Sequence, residues 1–311
     1  MHRRAFWRTL AAATFAGSIL GQASAASPRR ARRPSARTDI LAQDGTNLFY
    51  REAGEGAGAP VVFAAPWAMN STWFDYQIAG LSERGLRCIA YDRRGHGRSP
   101  EPATGYDFDT LAADLEAVIE QLDLHAVTLV GQSMGCGEIV RYLARRPSRV
   151  ARAVLVSTIT PMLLKTADNP DGIDEAIFEQ GRKQLAMDRV HQVAQAGPDF
   201  FGVPHNTVSA EIIDWWTRII VDQCSLRVML ELQRAFTRAD FRADLRKVAV
   251  PVLLIHGERD KSTLLDRTAR RTAPLLTDCE LKIYENAAHG LPITHAERLN
   301  ADIYAFAKAS S

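Results

Sequence analysis

The sequence predicts an α/β fold, a mostly parallel sheet with helices on both faces and a helical cap inserted between two of its strands. Short continuous apolar runs recur at residues 61–64, 87–91, 126–130, 153–156, 252–255 and 281–284, separated by helical patterns of which 111–122 is the clearest. Strands covered on both faces read as unbroken apolar runs, and their alternation with helices marks a parallel sheet. The alternation stops between 161 and 246, where nothing reads as a strand and Ile212-Ile213-Asp214-Trp215-Trp216-Thr217-Arg218-Ile219-Ile220 reads as helix. The core is therefore expected over 41–160 and 247–311, with 161–246 as a cap over the strand ends. At 311 residues and 46% hydrophobic composition, the chain can bury such a core without disulfide or metal staples.

The N-terminus reads differently. Arg3-Arg4-Ala5-Phe6-Trp7-Arg8, a mild apolar run over 9–20 and Ala23-Ser24-Ala25 make residues 1–25 a secretory signal cleaved after Ala25, with paired arginines like those of twin-arginine export. The expected location is periplasmic or secreted. An apolar run of twelve residues falls well short of the roughly 20 that span a bilayer, so no stable membrane insertion is expected after cleavage. No cysteine precedes Cys88, which argues against a lipid anchor. Removing the signal takes away three arginines and no acid, so the net charge passes from +2 to −1 and nothing points to a nucleic-acid partner. Residues 26–40, with Arg29-Arg30-Ala31-Arg32-Arg33-Pro34, read as a disordered basic leader.

Beyond the leader, 46–52 alternates like an antiparallel edge strand and 54–58 reads as a turn. The stretch on which the rest converges is Gly131-Gln132-Ser133-Met134-Gly135, between the apolar run 126–130 and a helical segment starting at Cys136. A G-x-S-x-G between a buried strand and a helix is a nucleophile elbow, which leaves the serine hydroxyl exposed at the strand's C-terminal end. The helix that follows aims its amides and the positive end of its dipole at the same point. Glycine and serine are common in turns, so the pattern acquires weight only if an acid and a histidine follow it in that order.

Both do. Asp260 lies in His256-Gly257-Glu258-Arg259-Asp260, on the loop after the run 252–255, where it can present a carboxylate to a histidine. The loop after the preceding strand is poorer, since its first carboxylate is Asp168. His289 lies in Asn286-Ala287-Ala288-His289-Gly290, after the run 281–284, among small residues that suit delivery toward the serine. His256, on a strand edge, and His295, at the start of the last helix, are its competitors. Cys88, Cys136, Cys224 and Cys279 show no CxxC pair and no metal spacing and read as buried free thiols, although an exported protein could hold disulfides. There is no HExxH, P-loop lysine or dinucleotide fingerprint, so no metal or cofactor is expected.

With these residues in place, the chain resembles the α/β-hydrolase superfamily and, within it, the bacterial non-haem haloperoxidase and arylesterase group. The matching stretches are Tyr91-Asp92-Arg93-Arg94-Gly95-His96-Gly97-Arg98-Ser99, Gly105-Tyr106-Asp107-Phe108-Asp109-Thr110, the elbow, His256 to Asp260, and His289-Gly290 on to Asn300; the cap matches least. The resemblance implies ester hydrolysis without haem or metal, with perhydrolysis of small carboxylic acids as a side reaction. It assigns the oxyanion hole to the main-chain N–H groups of Trp67 and Met134. The chain departs from the family at Ala65-Pro66, where His-Gly is usual before the aromatic residue, at Gln132 in place of histidine, and at Cys136 in place of glycine. Proline has no N–H, so a shift of one residue would leave the hole half formed.

The reading is thus a serine esterase with Ser133 as nucleophile, His289 as base and Asp260 as its partner, acting on a small-molecule ester. Trp215, Trp216, Phe200 and Phe201 could line an acyl pocket or pack within the cap. The alternative is a ligand-binding or sensing protein of low turnover on the same fold, for which Ala65-Pro66 is the sequence support.

Overall fold

The computed structural model describes residues 39–54 and 60–309. The expected signal, nearly all of the basic leader and most of the 54–58 turn lie outside the described residues. The strands are β1 (Asp39–Leu41), β2 (Asn47–Ala53), β3 (Val61–Ala64), β4 (Cys88–Tyr91), β5 (Val127–Gln132), β6 (Val150–Val156), β7 (Val252–Gly257) and β8 (Cys279–Tyr284). Among the described residues they form one sheet in the order β1-β2-β4-β3-β5-β6-β7-β8. β1 and β2 pair antiparallel, as do β2 and β4, while every other pairing is parallel. Each residue of β3, β4, β5 and β7 is buried, which is why these strands are continuous apolar runs.

The strand order also locates the site. From β3 the chain crosses to β4 on one side and then returns to β5 on the other, so the order reverses at β3 and β5. The carboxyl ends of two such neighbours border a crevice where ligands of open α/β sheets bind. β3 ends at Ala64, beside Gly131 of β5. The loops that follow, 65–69 and the elbow, therefore face each other.

The core helices before the cap are α1 (Asp75–Ser82), α2 (Phe108–Gln121) and α3 (Met134–Leu143). Between β6 and β7 come α4 (Glu175–Phe201), α5 (Ala210–Gln223), α6 (Leu226–Arg238) and α7 (Arg242–Leu245). α8 (Ala269–Thr272), α9 (Leu291–Thr294) and α10 (Ala296–Lys308) complete the chain. Asp107, Ser209 and Ser225 cap α2, α5 and α6 by accepting the N–H of Thr110, Ile212 and Val228. α4 is broken at Asp188, whose φ of −155° and ψ of 83° are not helical, and it ends on left-handed Gly202.

Two local expectations change. The strand around 46–52 is not an edge, because β1 pairs outside it, so Asp39 and Ile40 belong to the sheet rather than to the leader. Three residues are too few to show a period, which hides β1 from pattern reading. The elbow's glycines also act differently from a simple loosening of the turn. Ser133 itself takes the positive φ, with φ 53° and ψ −114°, while Gly131 and Gly135 clear space. A Cβ on Gly135 would lie 2.1 Å from the Ala64 carbonyl oxygen, and one on Gly131 would lie 2.8 Å from the Gly135 carbonyl carbon.

The Ala64 contact is backbone and cannot swing aside. Alanine favours a helix by about 1 kcal/mol over glycine, yet Gly135→Ala is expected to destabilise by about 1–3 kcal/mol, as overpacking does. A urea-denaturation midpoint checks this; a raised or unchanged midpoint would mean that α3 and β3 have room to part.

Candidate active site

Ser133 sits at the tip of β5, 8% exposed, at the head of α3. Its strained backbone is pinned on both sides, since its N–H donates to Val156 O at 2.9 Å and its carbonyl accepts the Cys136 N–H at 3.1 Å. Neighbouring Cys136 is fully buried, with its Sγ 3.3 Å from Gly131 O, and burial pushes its thiol up to about 12. A thiol so far from ionisation is not a nucleophile at neutral pH.

The loops after β7 and β8 bring Asp260 and His289 together. His289 Nδ1 donates to Asp260 Oδ2 at 2.7 Å, and the carboxylate, having only acceptors, fixes that tautomer. The other carboxylate oxygen accepts the N–H groups of Ser262 and Thr263 at 2.9 and 2.8 Å. Burial alone would raise the Asp260 carboxyl, but the charge and hydrogen bond of His289, with His256 and the Thr263 N–H, hold it below its ordinary value.

Two residues that sequence reasoning did not place in this network complete it. Thr263 Oγ1 lies 3.0 Å from Asp260 Oδ2 and 3.3 Å from His289 Nδ1, bracing the pair from one side. Gln132, fully buried, accepts the indole N–H of Trp73 and donates to the His289 carbonyl at 2.7 Å, which holds the histidine loop against the elbow. Gln132 was visible as a departure from the family; Thr263 carried no signal beyond its closeness to Asp260. Of the competing histidines, His256 approaches the same carboxylate, with its Nε2 3.6 Å from Asp260 Oδ2. His256 is buried on β7 with Nε2 2.6 Å from the Thr263 carbonyl, and burial lowers its pKa. His295 caps α10. Asp168 is bound to Arg242 within the cap.

A cavity of about 450 Å³ is lined by Ser133, His289, Pro66 and Trp67, closed by apolar cap residues such as Leu185 and Val193. Of Trp215, Trp216, Phe200 and Phe201, Phe200 and Trp216 line it, as do Phe178 and Phe236. Phe201 is fully buried, and Trp215 stacks on Trp73 at 6.1 Å and faces a separate polar cleft. Trp67 donates its indole N–H to the Met229 carbonyl of α6 at 2.9 Å. The main-chain N–H groups of Trp67 and Met134 take no protein acceptor among the described residues. Nor do any three His, Cys, Asp or Glu side chains group as metal ligands among those residues.

Because the Asp260 carboxyl is held low, its ionisation stabilises the fold above the ordinary carboxylate pKa, and that contribution disappears as pH falls through the lower folded value. Asp260→Asn lacks it. The stability gap between wild type and Asp260→Asn, read from urea midpoints, should be wide near pH 6 and shrink progressively as pH falls from about 4 through the lower folded value. A gap that does not change with pH would refute the assignment.

Residues 59–296 match the family model described as alpha/beta hydrolase fold. A non-heme chloroperoxidase of Streptomyces lividans is 41% identical over 276 residues, spanning 87% of this chain and 99% of that relative. A bifunctional esterase/perhydrolase of Acinetobacter calcoaceticus is 35% identical, with the same spans of 87% and 99%. Among solved structures, an esterase from Exiguobacterium antarcticum has a TM-score of 0.82 at 30% identity and covers 88% of this chain and 99% of its own. A bromoperoxidase from Bacillus anthracis has a TM-score of 0.81 at 32% identity and covers 87% and 100%. The strand order, the elbow and these likenesses agree that the chain belongs to the α/β-hydrolase family, as a homologue of non-haem haloperoxidases and esterases.

Proposed function

We propose that the protein is a serine hydrolase that cleaves carboxylic esters through an acyl-enzyme. The observation that supports this best is the 2.7 Å Asp260–His289 pair, whose histidine lines one cavity with Ser133. With Nδ1 committed to Asp260, Nε2 is the nitrogen left to take the Ser133 proton. Ser133 Oγ attacks the ester carbonyl, and the oxygen that becomes anionic is held by the Trp67 and Met134 N–H groups. Collapse expels the alcohol, which takes its proton from His289. Water deprotonated by the same nitrogen then releases the acid and restores Ser133. Hydrogen peroxide in place of water would yield a peracid, able to oxidise halide; the name of the Acinetobacter relative supports this as a side reaction.

The apolar lining from Leu185, Val193, Phe200 and Trp216 favours small esters with an aryl or alkyl acyl group. A panel of such esters with rising acyl length, read as kcat/KM, tests the reading and finds the acyl optimum. No turnover across the panel would refute it. Perhydrolysis would appear as bromination that requires both acetate and peroxide.

Ser133→Ala should lose about 10⁴-fold or more in kcat, because the members of such a constellation act as a unit. It should also lose labelling by a fluorophosphonate while keeping its melting temperature. Labelling that persists would mean a different nucleophile.

The oxyanion assignment has its own test. Trp67→Pro deletes one N–H and should cost on the order of 10² to 10³ in kcat, whereas Trp67→Ala keeps the N–H and should retain far more activity. Pro66→Gly should stay within roughly tenfold of wild type, since no donor is lost there. Equal rates for the alanine and proline variants would show that this amide does not face the oxyanion.

Export by the twin-arginine route is proposed from Arg3 and Arg4. The mature N-terminus should then lie near Ala26, and replacing both arginines by lysine should leave the precursor in the cytoplasm. Normal export of the lysine pair would exclude that route.

A further inference from the structure

The two proposed oxyanion donors belong to segments far apart in sequence, and one buried side chain ties those segments together. Arg93, just past the end of β4, is 1% exposed. Its Nε donates to Glu138 Oε1 at 2.5 Å, its Nη2 to the Ala65 carbonyl at 2.6 Å and its Nη1 to the Pro66 carbonyl at 3.3 Å. Glu138 is fully buried in α3, one turn after Met134, and its second oxygen accepts the Tyr91 hydroxyl at 2.7 Å. A planar guanidinium with donors on fixed vectors thus sets the loop after β3 against the helix that carries Met134.

Two contacts on the Pro66 carbonyl, from Arg93 Nη1 and from the Met69 N–H, each at 3.3 Å, determine which way the next amide points. The Pro66–Trp67 bond is trans, the cis bonds among the described residues being Thr160–Pro161 and Val203–Pro204. In a trans peptide the C=O and the following N–H point in opposite directions within one rigid plane. Holding the Pro66 carbonyl toward Arg93 therefore turns the Trp67 N–H away from Arg93, and Trp67 lines the cavity shared with Ser133 and His289. Ala68 follows in the left-handed region with φ 59°, a conformation that alanine leaves when nothing holds it. Turning the 66–67 peptide over would aim a carbonyl at the developing oxyanion and an N–H at a guanidinium, which opposes it.

We infer that Arg93 is a positioning residue for ester hydrolysis, holding the Pro66–Trp67 peptide in the one orientation that offers the Trp67 N–H to the oxyanion. The inference rests on the esterase reading above and adds to it a residue that touches no substrate. Pro66 takes on a meaning here too, since it lacks a donor of its own and presents a carbonyl to Arg93.

Arg93→Lys keeps a cation opposite Glu138, but one ammonium cannot serve the carboxylate and both carbonyls along the same vectors. It should lower kcat on the order of 10²-fold and leave KM within about threefold, because the lost interaction forms only with the oxyanion. Affinity for a trifluoromethyl ketone, which forms a tetrahedral adduct on serine, should fall by the same factor as kcat. Placed in Trp67→Pro, Arg93→Lys should cost little more, since both remove the same donor. A kcat and ketone affinity within about threefold of wild type, or a full additional loss in the Trp67→Pro background, would overturn the inference. Should the lysine variant not melt cooperatively, the double variant Arg93→Met and Glu138→Gln, which removes both buried charges, is read in the same way. In ¹⁵N-tryptophan protein the Trp67 amide resonance, assigned by its loss in Trp67→Phe, should move in Arg93→Lys while the Trp67 indole resonance stays. That signal needs no turnover: a wild type that neither hydrolyses esters nor labels with fluorophosphonate defeats the esterase reading, and an unmoved Trp67 amide defeats this one.

Discussion

The close approach of α3 to the end of β3 is the constraint on which the rest depends. With only hydrogen at Gly135, the helix comes near enough to the Ala64 carbonyl for the elbow and the 65–69 loop to share one crevice. That crevice exists because the strand order reverses between β3 and β5. Ser133 takes up the strain in the turn, and parallel pairing to β6 through the Val156 carbonyl supports it. A larger side chain at 135 would separate Ser133 from the loop opposite, whatever the residues in each.

Around this contact several buried polar groups are linked in chains. Gln132 links the Trp73 indole to the His289 carbonyl, Thr263 links Asp260 through its N–H to the Ser157 carbonyl through its hydroxyl, and Glu138 links Tyr91 to Arg93. Each chain joins segments that follow different strands. A buried polar group left without a partner costs about 1–3 kcal/mol, so such chains oppose alternative arrangements of the loops more than they add to total stability.

Much of this was legible in the sequence because it is local. Strands buried on both faces write themselves as apolar runs, and Ser133, Asp260 and His289 each follow such a run by a few residues, on loops bearing glycine or alanine. Four features were not legible, for separate reasons. β1 is too short to have a period. The break in α4 at Asp188 lies in a stretch of good helix formers, so only tertiary packing reveals it. Gln132 has partners 59 and 157 residues away, and Arg93 and Glu138 are 45 apart. A motif shows which residue types occur, but the direction of a peptide plane depends on contacts that no spacing encodes.

The hydrogen bond from the Trp67 indole to the Met229 carbonyl has a consequence for how such proteins diversify. The main chain of Trp67 belongs to the core loop, and its side chain is fastened to α6 of the insertion between β6 and β7. The insertion is therefore not an interchangeable module that determines only what fits. Grafting α4 to α7 from a relative would exchange one anchor of the loop beside Ser133, so the lining of the pocket and the geometry of that loop would change together. Variation that retunes the pocket without that penalty has to keep a carbonyl where Met229 offers one, which leaves α4 and its break at Asp188 as the freer ground for change.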